Sequence, residues 1–431
     1  MTMTSCHIVT DKFKYRHELT SILASGGQGT VWRTRDPKIA VKLCVNEEET
    51  RKAIERLSIL PIPANIGISL PIAPLEDLPG YSMQLLRQDM RSFEEAFNVR
   101  TLADKIEDWG YSEAAKYFTA YNKSGGLRRR LLALAKCASE LSRLNGAGLI
   151  YCDVNMNNIF LSDDMNNPVV WLIDPDNIRY DNPNGGAIIF PGFGAPEIYR
   201  GETGNTSYSD IWAFAVAAFK ALLFWEQPYT IDHNDDSNAN FARSIAENFL
   251  TPELDALFTA TFIDGKDRPE RRPPMFVWPE ALARAADLAV KCPVCGSSSY
   301  DADKCIWCNA KRPALLTIDT YRIAPDSSRQ SVWRFVHEVE DGKQVFIPKR
   351  VLAPFFMTDF DTEIFSLTRS GSDVLMTRQD LTENITLEVK GSVPVRPGMR
   401  ETLPAKGFRV YADIAGRNVV AEVAFTGGGQ A

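Results

Sequence analysis

Two closely spaced cysteine pairs are the feature that most constrains how this chain folds. The segment CPVCGSSSYDADKCIWC carries two Cys-x-x-Cys pairs with nine residues between them. Each pair presents two thiolates to one tetrahedral ion, and Pro293 and Gly296 favour the tight turn that such a pair needs. The spacing predicts a structural zinc site with four thiolate ligands, which are Cys292, Cys295, Cys305 and Cys308.

The composition is that of an ordinary globular protein. The chain has 431 residues, of which 45% are hydrophobic and 24% are charged, and this length predicts roughly two to four domains. The net charge of −7 argues against bulk binding of nucleic acid or of anionic membranes. The first residues lack the apolar core of a signal peptide, and the longest apolar run, IWAFAVAAFKALLFW, is too short for a membrane span and contains Lys220. We expect a cytoplasmic protein, in whose reducing environment clustered cysteines suit a metal better than disulfides.

The order of predicted elements divides the chain into three regions. Strands around a glycine-rich turn are predicted over residues 19–43, followed by a helix over 46–60 whose first turn is acidic. A second amphipathic helix is predicted over 127–144, within a largely helical region that extends to about residue 290. The tail contains two predicted β-hairpins, over 362–378 and 408–425. We therefore expect a helical middle region between two strand-rich regions.

Acidic and amide side chains follow apolar elements in the middle region. Asp153 and Asn158 lie in the segment YCDVNMNNIF, and Asp174 ends the apolar run VVWLIDPD. An acid at the end of a buried strand is costly unless it binds something. Asn158 and Asp174 offer the oxygen ligands that magnesium prefers, and Asp153 could accept a proton from a hydroxyl group. Taken alone, YCDVNMNNIF also fits an ordinary polar turn.

A glycine-rich turn and a lysine precede these residues. The segment ASGGQGTV places Gly26, Gly27 and Gly29 between two predicted strands, where backbone N–H groups could approach phosphates. Lys42 follows on the strand-like segment IAVKL, and Glu55 on the first predicted helix could pair with it. In isolation these residues equally fit a tight turn, a surface lysine and a solvated glutamate.

The order of the motifs carries more information than any one of them. Downstream of Asp174 come APE at 195–197, SDIWAFAV with Asp210, and RPERRPP with Arg272. Together the series resembles a Hanks-type (eukaryotic-like) serine/threonine protein kinase over residues 15–290. The resemblance implies an α+β chain with a bilobal protein-kinase-like fold, whose N-lobe covers about residues 15–88 and whose C-lobe covers about 89–290. A zinc ribbon over 291–312 and a small all-β domain over 313–431 are expected to follow.

The resemblance also implies catalytic roles for the matching residues. Asp153 stands at the position of the catalytic base. Lys42 would hold the phosphates of ATP, with Glu55 as its helix partner. Asn158 and Asp174 would hold Mg²⁺ or Mn²⁺.

Other matching residues are implied to bind nucleotide or to support the fold. Glu197 and Arg272 resemble a buried ion pair that anchors the substrate-side loop, and Asp210 resembles the residue that holds the backbone of the catalytic loop. The implied ATP site consists of Gly26, Gly27, Gly29, Val31, Ala40, Lys42 and Met83.

The chain departs from the kinase pattern at several positions. YCDVN stands where HRDLK is usual, so Cys152 replaces an arginine that binds a phosphorylated residue, and residues 174–197 contain no Ser or Thr. We therefore predict an enzyme that is not switched on by phosphorylation of this segment. Asn155 replaces a lysine that contacts the transferring phosphoryl group, a loss that typically costs about 10²- to 10³-fold in rate. DPD replaces DFG, which keeps Asp174 and adds Asp176 near the expected metals.

The favoured function is that of an atypical serine/threonine protein kinase. It would transfer the γ-phosphate of ATP to a hydroxyl on itself or on a partner protein. A kinase followed by a ribbon and a β tail is similar to bacterial kinases of tellurite-resistance and stress operons, which implies a phosphatase and a von Willebrand-type protein as partners. The basic residues around the cysteines form too thin a fringe for nucleic acid, and the tail is expected to be a recognition or docking module.

Two alternatives stay open. One is a pseudokinase scaffold that binds nucleotide without transferring phosphate. The other is a small-molecule kinase of the same fold, in which the long connection over residues 91–126 would wall off a substrate pocket.

Overall fold

The protein combines helices and strands in similar amounts. The structure is a computed structural model that describes residues 7–27, 29–106, 112–228, 246–300, 303–353, 361–379, 385–389, 393–414 and 417–426. Helices make up 31% and strands 32%, so the expected combination of helices and strands is confirmed. In the described part of the chain, no helix is long and apolar enough to cross a membrane. The bilobal kinase-like arrangement stays a prediction.

The N-terminal part is an antiparallel six-stranded sheet with one helix. Its strands follow the order β1-β2-β3-β4-β6-β5. Helix α1 (Glu47–Ile59) begins after Asn46, whose side chain accepts a hydrogen bond from Glu49 N, and three acids in its first turn suit the helix dipole. The helix predicted over 46–60 is therefore confirmed. The strands are β1 (His7–Thr10), β2 (Arg16–Gly26), β3 (Gly29–Thr34), β4 (Ile39–Cys44), β5 (Pro71–Pro74) and β6 (Gly80–Gln84).

The middle part is built around one long buried helix, α5 (Gly126–Gly146), which matches the helix predicted over 127–144. The described residues of the connection over 91–126 contain a short strand and three helices ahead of α5. The other helices are α2 (Phe93–Phe97), α3 (Val99–Ala103), α4 (Glu113–Lys123), α6 (Pro196–Tyr199), α7 (Ser207–Leu222), α8 (Pro252–Thr259) and α9 (Val277–Leu288). The short strands are β7 (Met90–Ser92), β8 (Leu149–Ile150), β9 (Ile159–Ser162), β10 (Val170–Leu172) and β11 (Arg179–Tyr180).

The C-terminal part contains two antiparallel sheets after the short hairpin β12 (Ala289–Lys291) and β13 (Ser298–Tyr300). One sheet has the strand order β15-β14-β23-β22-β19-β20, and the other has the order β16-β17-β18-β21. The predicted hairpins over 362–378 and 408–425 are confirmed as β17–β18 and β22–β23. The strands are β14 (Leu315–Ile323), β15 (Arg329–Glu338), β16 (Gln344–Pro348), β17 (Glu363–Ser370), β18 (Asp373–Arg378), β19 (Ile385–Val389), β20 (Val393–Pro394), β21 (Arg400–Pro404), β22 (Phe408–Ile414) and β23 (Arg417–Thr426).

The C-terminal sheets pack directly on the helices of the middle part. A single cluster of buried apolar side chains runs from the helices into the C-terminal strands. Asp287 on α9 accepts hydrogen bonds from Arg350 at 2.7 and 2.8 Å and from the indole N–H of Trp333 at 2.8 Å. Arg350 and Asp287 are both buried, so this ion pair is shielded from solvent. The predicted boundary near residue 290 therefore does not interrupt the packing of the core.

Candidate active site and metal centre

Lys42 lies at the centre of a polar cluster beneath the N-terminal sheet. In the sheet, Val31 and Tyr81 are the cross-strand neighbours of Lys42. Lys42 Nζ donates to Asp174 Oδ1 at 2.9 Å and to Asp176 Oδ2 at 2.7 Å. The Tyr81 hydroxyl donates to Asp176 Oδ1 at 2.9 Å. One ammonium group thus compensates two carboxylates that belong to the same turn.

The electrostatics of this cluster keep the lysine charged. Burial by itself lowers the pKa of Lys42, because a low-dielectric surrounding disfavours the charged form. The carboxylates of Asp174 and Asp176 outweigh burial, and the pKa of Lys42 is raised above its ordinary value. Burial, followed by the charge of Asp176, raises the pKa of Tyr81 well above its ordinary value, so its hydroxyl remains a hydrogen-bond donor. Lys42 therefore stays protonated within the cluster.

The structure does not bring Glu55 to Lys42. The Glu55 side chain is 61% exposed, and its Oε1 accepts a hydrogen bond from Arg51 at 2.7 Å. Ala53 and Leu57 are the buried positions of α1, and this rotation of the helix points Glu55 towards solvent. The ion pair expected between Lys42 and Glu55 is therefore not formed, and Asp174 and Asp176 contact the ammonium group instead.

The turn that carries the two aspartates is constrained on several sides. Asp174 has a positive φ of 54°, and Pro175 starts a single 3₁₀ turn over residues 175–177. Arg56 on α1 donates from Nε to the carbonyl oxygen of Ile178 at 3.0 Å, and its guanidinium also contacts the carbonyl oxygen of Asp176. Arg56 thus links helix α1 to this turn through main-chain oxygens. These hydrogen bonds do not depend on the charge state of the Asp174 and Asp176 side chains.

The loop that begins at Tyr151 is held by Asp210 on α7. Asp210 accepts hydrogen bonds from Tyr151 N at 2.7 Å and from Cys152 N at 3.0 Å, the contacts expected of it from the sequence. Burial raises the pKa of Asp210 to about 7. The Tyr151 hydroxyl donates to the carbonyl oxygen of Ile173, immediately before Asp174. This tyrosine therefore ties the loop to the turn that carries the aspartates.

Asp153 is positioned by two asparagines of its own loop, Asn155 and Asn158. Asn155 Nδ2 donates to Asp153 Oδ1 at 2.9 Å, and Asn158 Nδ2 donates to the carbonyl oxygen of Asp153 at 3.0 Å. The backbone N–H of Ile173 donates to the carbonyl oxygen of Asn158 at 3.0 Å, which again joins the loop to the turn. Burial raises the pKa of Asp153 above its usual range, and the hydrogen bonds from the asparagines oppose this effect only in part. A carboxylate of raised pKa is a stronger proton acceptor.

The two residues expected to hold magnesium are Asn158, in this loop, and Asp174, which follows the Ile173 that is bonded to Asn158. The amide nitrogen of Asn158 is used by Asp153, which leaves the amide oxygen as its atom for a cation. The Asp174 side chain is 34% exposed and its Oδ1 faces Lys42. The chemistry of the pair, one carboxylate and one amide oxygen, fits a hard divalent cation that keeps several waters.

The glycine-rich turn closes the end of the sheet above Lys42. Gly26 and Gly29 are cross-strand partners, and residue 28 between them is outside the described part of the chain. A side chain on Gly29 would place a Cβ 2.2 Å from the carbonyl oxygen of Leu43, so this position requires glycine. A Cβ on Gly26 or Gly27 would meet nothing within 4 Å. Ala40 is buried and pairs with Met83 on β6, two positions along β4 from Lys42.

Glu197 and Arg272 form the buried ion pair expected from the sequence. Both guanidinium Nη atoms donate to the Glu197 carboxylate at 2.7 Å, and the side chains are 3% and 0% exposed. Arg272 also donates to the carbonyl oxygens of Gly265 and Tyr208, and it stacks over the ring of Trp212. Each nitrogen of the Arg272 guanidinium therefore donates at least one hydrogen bond, which helps a buried ion pair to be tolerated.

The segment between Asp174 and Glu197 is held by hydrogen bonds to neighbouring residues of the protein. Asn205 Nδ2 donates to the carbonyl oxygen of Ile188 at 2.9 Å, and Ile188 N donates back to Asn205 Oδ1 at 2.6 Å. Arg179 also donates to Asn205 Oδ1, at 3.3 Å. Asp181 accepts a hydrogen bond from the Ser207 hydroxyl at 2.6 Å. These contacts hold the segment without a phosphate group.

The sequence pointed to some of these supporting residues and not to others. Asp176 was visible as the second acid of DPD, but its contact with Lys42 depends on how the turn folds back. Nothing in the sequence indicated a role for Tyr81 or Asn205, because a tyrosine in a strand and an asparagine in a loop are common.

The four cysteines of the two pairs come together as the spacing predicted. Their sulfur atoms all lie within 4.8 Å of one another. The two pairs have the same backbone geometry: Cys292 N and Cys305 N donate to the carbonyl oxygens five residues later, and Gly296 N and Asn309 N donate back to Cys292 O and Cys305 O. Gly296 and Asn309 have left-handed backbones with φ of 73° and 58°.

The cysteine site suits a metal ion. Sγ–Sγ distances of 3.7 Å, between Cys292 and Cys308 and between Cys295 and Cys305, agree with the edges of a tetrahedron whose metal–sulfur bonds are about 2.3 Å long. The site is anchored to the helices by Trp307, whose ring lies 4.5 Å from that of Phe118. The four cysteines can therefore hold one metal ion against the middle part of the protein.

Comparisons with known proteins add no family to this description. No protein-family model matches the chain, and no curated protein matches it.

Proposed function

We propose that the protein is an atypical ATP-dependent serine/threonine protein kinase, as the motif order suggests. The observation that carries the proposal is the meeting of Lys42 with Asp174, on a turn bonded through Ile173 to the loop of Asp153 and Asn158. Such a site combines a fixed cation, oxygen ligands for a divalent metal and a carboxylate base, which are the parts that phosphoryl transfer needs.

Each residue would have a separate task in the transfer. Mg²⁺ bound through Asp174 and Asn158 would neutralise charge on the ATP phosphates. Lys42 would hold the phosphates. Asp153 would orient the acceptor hydroxyl and take its proton while the hydroxyl oxygen bonds to the γ-phosphorus and the bond from that phosphorus to the bridging oxygen breaks, releasing ADP.

Two features predict a slow enzyme that needs no activation by phosphorylation. Asn155 stands where a charged contact to the phosphoryl group is expected, and its amide is engaged by Asp153. The segment that ends at Glu197 is held by Asn205 and Ser207 rather than by a phosphate. We expect activity in protein that carries no phosphate on this segment.

The cysteine site would hold zinc in a structural role. Four thiolates saturate a tetrahedral ion and leave no position for substrate. The acceptor protein would be this chain itself or a partner, and a phosphatase and a von Willebrand-type protein are the partners that the operon resemblance suggests.

Transfer of label from γ-³²P-ATP with magnesium tests the kinase assignment. We expect slow labelling of the wild-type protein that falls at least about 100-fold in Asp153→Asn, which keeps the shape of the side chain and removes the base. Asp163→Asn is the matched control, because Asp163 is an exposed aspartate in the same region and should not affect the rate. Equal labelling in Asp153→Asn and wild type would refute the assignment.

The same experiment separates the alternatives. A pseudokinase scaffold would be stabilised by ATP without any labelling. A small-molecule kinase would hydrolyse or transfer phosphate without labelling protein.

A further inference from the structure

The exposure of Glu55 raises the question of which acidic residue holds Lys42 in position. A lysine on a flexible stem loses side-chain entropy when it binds phosphate, unless a partner already holds it in place. The Lys42 side chain is 4% exposed, and its ammonium group contacts Asp174 and Asp176. Of these two carboxylates, Asp174 is also the one expected to bind magnesium.

Asp174 and Asp176 differ in how they are held. Both oxygens of Asp176 are engaged, Oδ2 by Lys42 at 2.7 Å and Oδ1 by the Tyr81 hydroxyl at 2.9 Å. Its main-chain oxygen is bonded by Arg56 from α1. The Asp176 side chain is 19% exposed, compared with 34% for Asp174. Asp176 is therefore the more fixed and the more buried partner of the ammonium group.

Tyr81 adds geometric support from the sheet itself. It is the cross-strand neighbour of Lys42 and is 1% exposed. The side chains of Lys42 and Tyr81 thus extend from the same face of adjacent strands. Each donates a hydrogen bond to a different oxygen of the Asp176 carboxylate. This arrangement leaves Asp174 available to a cation without leaving Lys42 unpaired.

We propose that Asp176, supported by Tyr81, is the residue that positions Lys42 for the phosphates of ATP, in the place expected for Glu55. The proposal rests on the proposed function, because it concerns the nucleotide site of the kinase. Without Asp176, Asp174 would be the remaining acidic partner of Lys42 among the described contacts, and the ammonium group would compete with magnesium for it. The loss of Asp176 should therefore weaken the binding of Mg·ATP and leave the adenosine part of the site intact.

Calorimetric binding of Mg·ATP and of adenosine to the full chain tests this role. We expect Asp176→Asn to weaken Mg·ATP binding by about 10- to 100-fold, the loss typical of a hydrogen bond to a charged group. Tyr81→Phe should weaken it by about 3- to 10-fold, since it removes one supporting hydrogen bond. Glu55→Gln is the matched control and should change it less than about twofold, because exposed helical pairs contribute little. Adenosine affinity should be the same in all four proteins.

The outcomes separate this proposal from the kinase assignment. Mg·ATP binding that is unchanged in Asp176→Asn, or that is lost in Glu55→Gln, would overturn the role of Asp176. Equal losses of ATP and adenosine affinity would also overturn it, because they would indicate general damage to the site. Wild-type protein that binds no ATP would overturn both proposals. If the wild type binds ATP but transfers no phosphate, the kinase assignment fails, while the comparison of Kd values still decides the role of Asp176.

Discussion

The cysteine cluster and the lysine cluster are assembled over very different distances along the chain. Cys292 and Cys308 are 16 residues apart, and each pair is shaped by its own turn. Lys42 and Asp174 are 132 residues apart and meet only when the N-terminal sheet packs on the middle part. The first cluster therefore depends on local backbone geometry, and the second depends on the tertiary fold.

The two clusters also differ in how their charge is balanced. The four sulfur atoms lie within 4.8 Å of one another, so four thiolates would repel one another and need a metal ion to come together in ionised form. The carboxylates of Asp174 and Asp176 already have the ammonium of Lys42. We infer that losing the metal would dismantle the first cluster, whereas the second persists without a ligand.

Metal removal should have the largest effect. Structural zinc contributes roughly 10 to 16 kcal/mol of apparent binding energy in comparable peptide modules. We expect a strong chelator, or Cys305→Ser, to release the metal, lower the Tm and change the fluorescence of Trp307. Cys44→Ala is the control, since this half-buried cysteine lies outside the cluster and should leave the metal content at one ion per chain. Protein purified without any bound metal and with an unchanged Tm in Cys305→Ser would contradict the expectation.

Breaking the buried ion pair between Arg350 and Asp287 should cause the next largest loss of stability. Like the lysine cluster, this pair joins residues that are distant in the sequence. Arg350→Met leaves the carboxylate of Asp287 buried without its ionic partner, which typically costs about 3 to 5 kcal/mol. Arg334→Met removes an exposed pair with Asp319 and should cost less than about 1 kcal/mol. Urea unfolding of both variants measures the difference. Similar losses in the two would show that burial does not set the strength of the pair.

Replacing Lys42 tests whether its ammonium group balances the charges of Asp174 and Asp176. We expect Lys42→Met to lower the free energy of unfolding by about 3 kcal/mol, because two partly buried carboxylates lose their cation. Magnesium should restore part of this loss in the variant. Lys52→Met, which removes an exposed pair with Glu48 on α1, should cost less than about 0.5 kcal/mol. A Lys42→Met protein as stable as the wild type would contradict the balance described here.

The smallest effect concerns pH at the interface between α5 and β15. His337 Nδ1 lies 2.7 Å from the carbonyl oxygen of Glu338, and Arg128 lies 3.3 Å from its Nε2. Burial, followed by the charge of Arg128, lowers the pKa of His337, although Glu338 and Asp287 oppose this effect. A lowered pKa means that the unfolded chain takes up the proton first, so stability should fall as the pH drops below about 6.5. In His337→Gln this component of the pH dependence should disappear from unfolding curves measured between pH 5 and 8.

A second titration at the same interface acts at lower pH. Burial alone would raise the pKa of Glu338, but Arg128 outweighs burial and lowers it to about 2. The folded carboxylate therefore holds its charge after the unfolded one is protonated, and stability is lost between the ordinary pKa of about 4.3 and a pH of about 2. A loss centred near pH 6 that persists in His337→Gln would contradict the assignment of the two steps.

The difference between the clusters explains which predictions the sequence supported. The cysteine spacing sufficed because the turns that bring the sulfur atoms together lie within the same short segment. Hairpins and helices followed from the same local patterns. For α1, however, the predicted helix did not show which side of it faces the core: Ala53 and Leu57 are buried, and Glu55 lies on the exposed side.

Contacts between distant segments needed information that the sequence alone did not contain. Asp176 contacts Lys42 only because Pro175 turns the chain and Tyr81 reaches across from the sheet. The ion pair between Arg350 and Asp287 joins residues from two predicted domains. In both cases the sequence shows the charged residues, but which residue each of them contacts depends on how separate elements pack.

Titration of Mg·ATP into wild-type protein and into Asp174→Asn tests the central claim most directly, that the cluster around Lys42 is a site for nucleotide and metal. We predict one nucleotide bound per wild-type chain in a magnesium-dependent manner, and an affinity at least about tenfold lower in Asp174→Asn. Metal content at the cysteines should be equal in both proteins. No binding by the wild type, or equal binding by both proteins with and without magnesium, would contradict the claim.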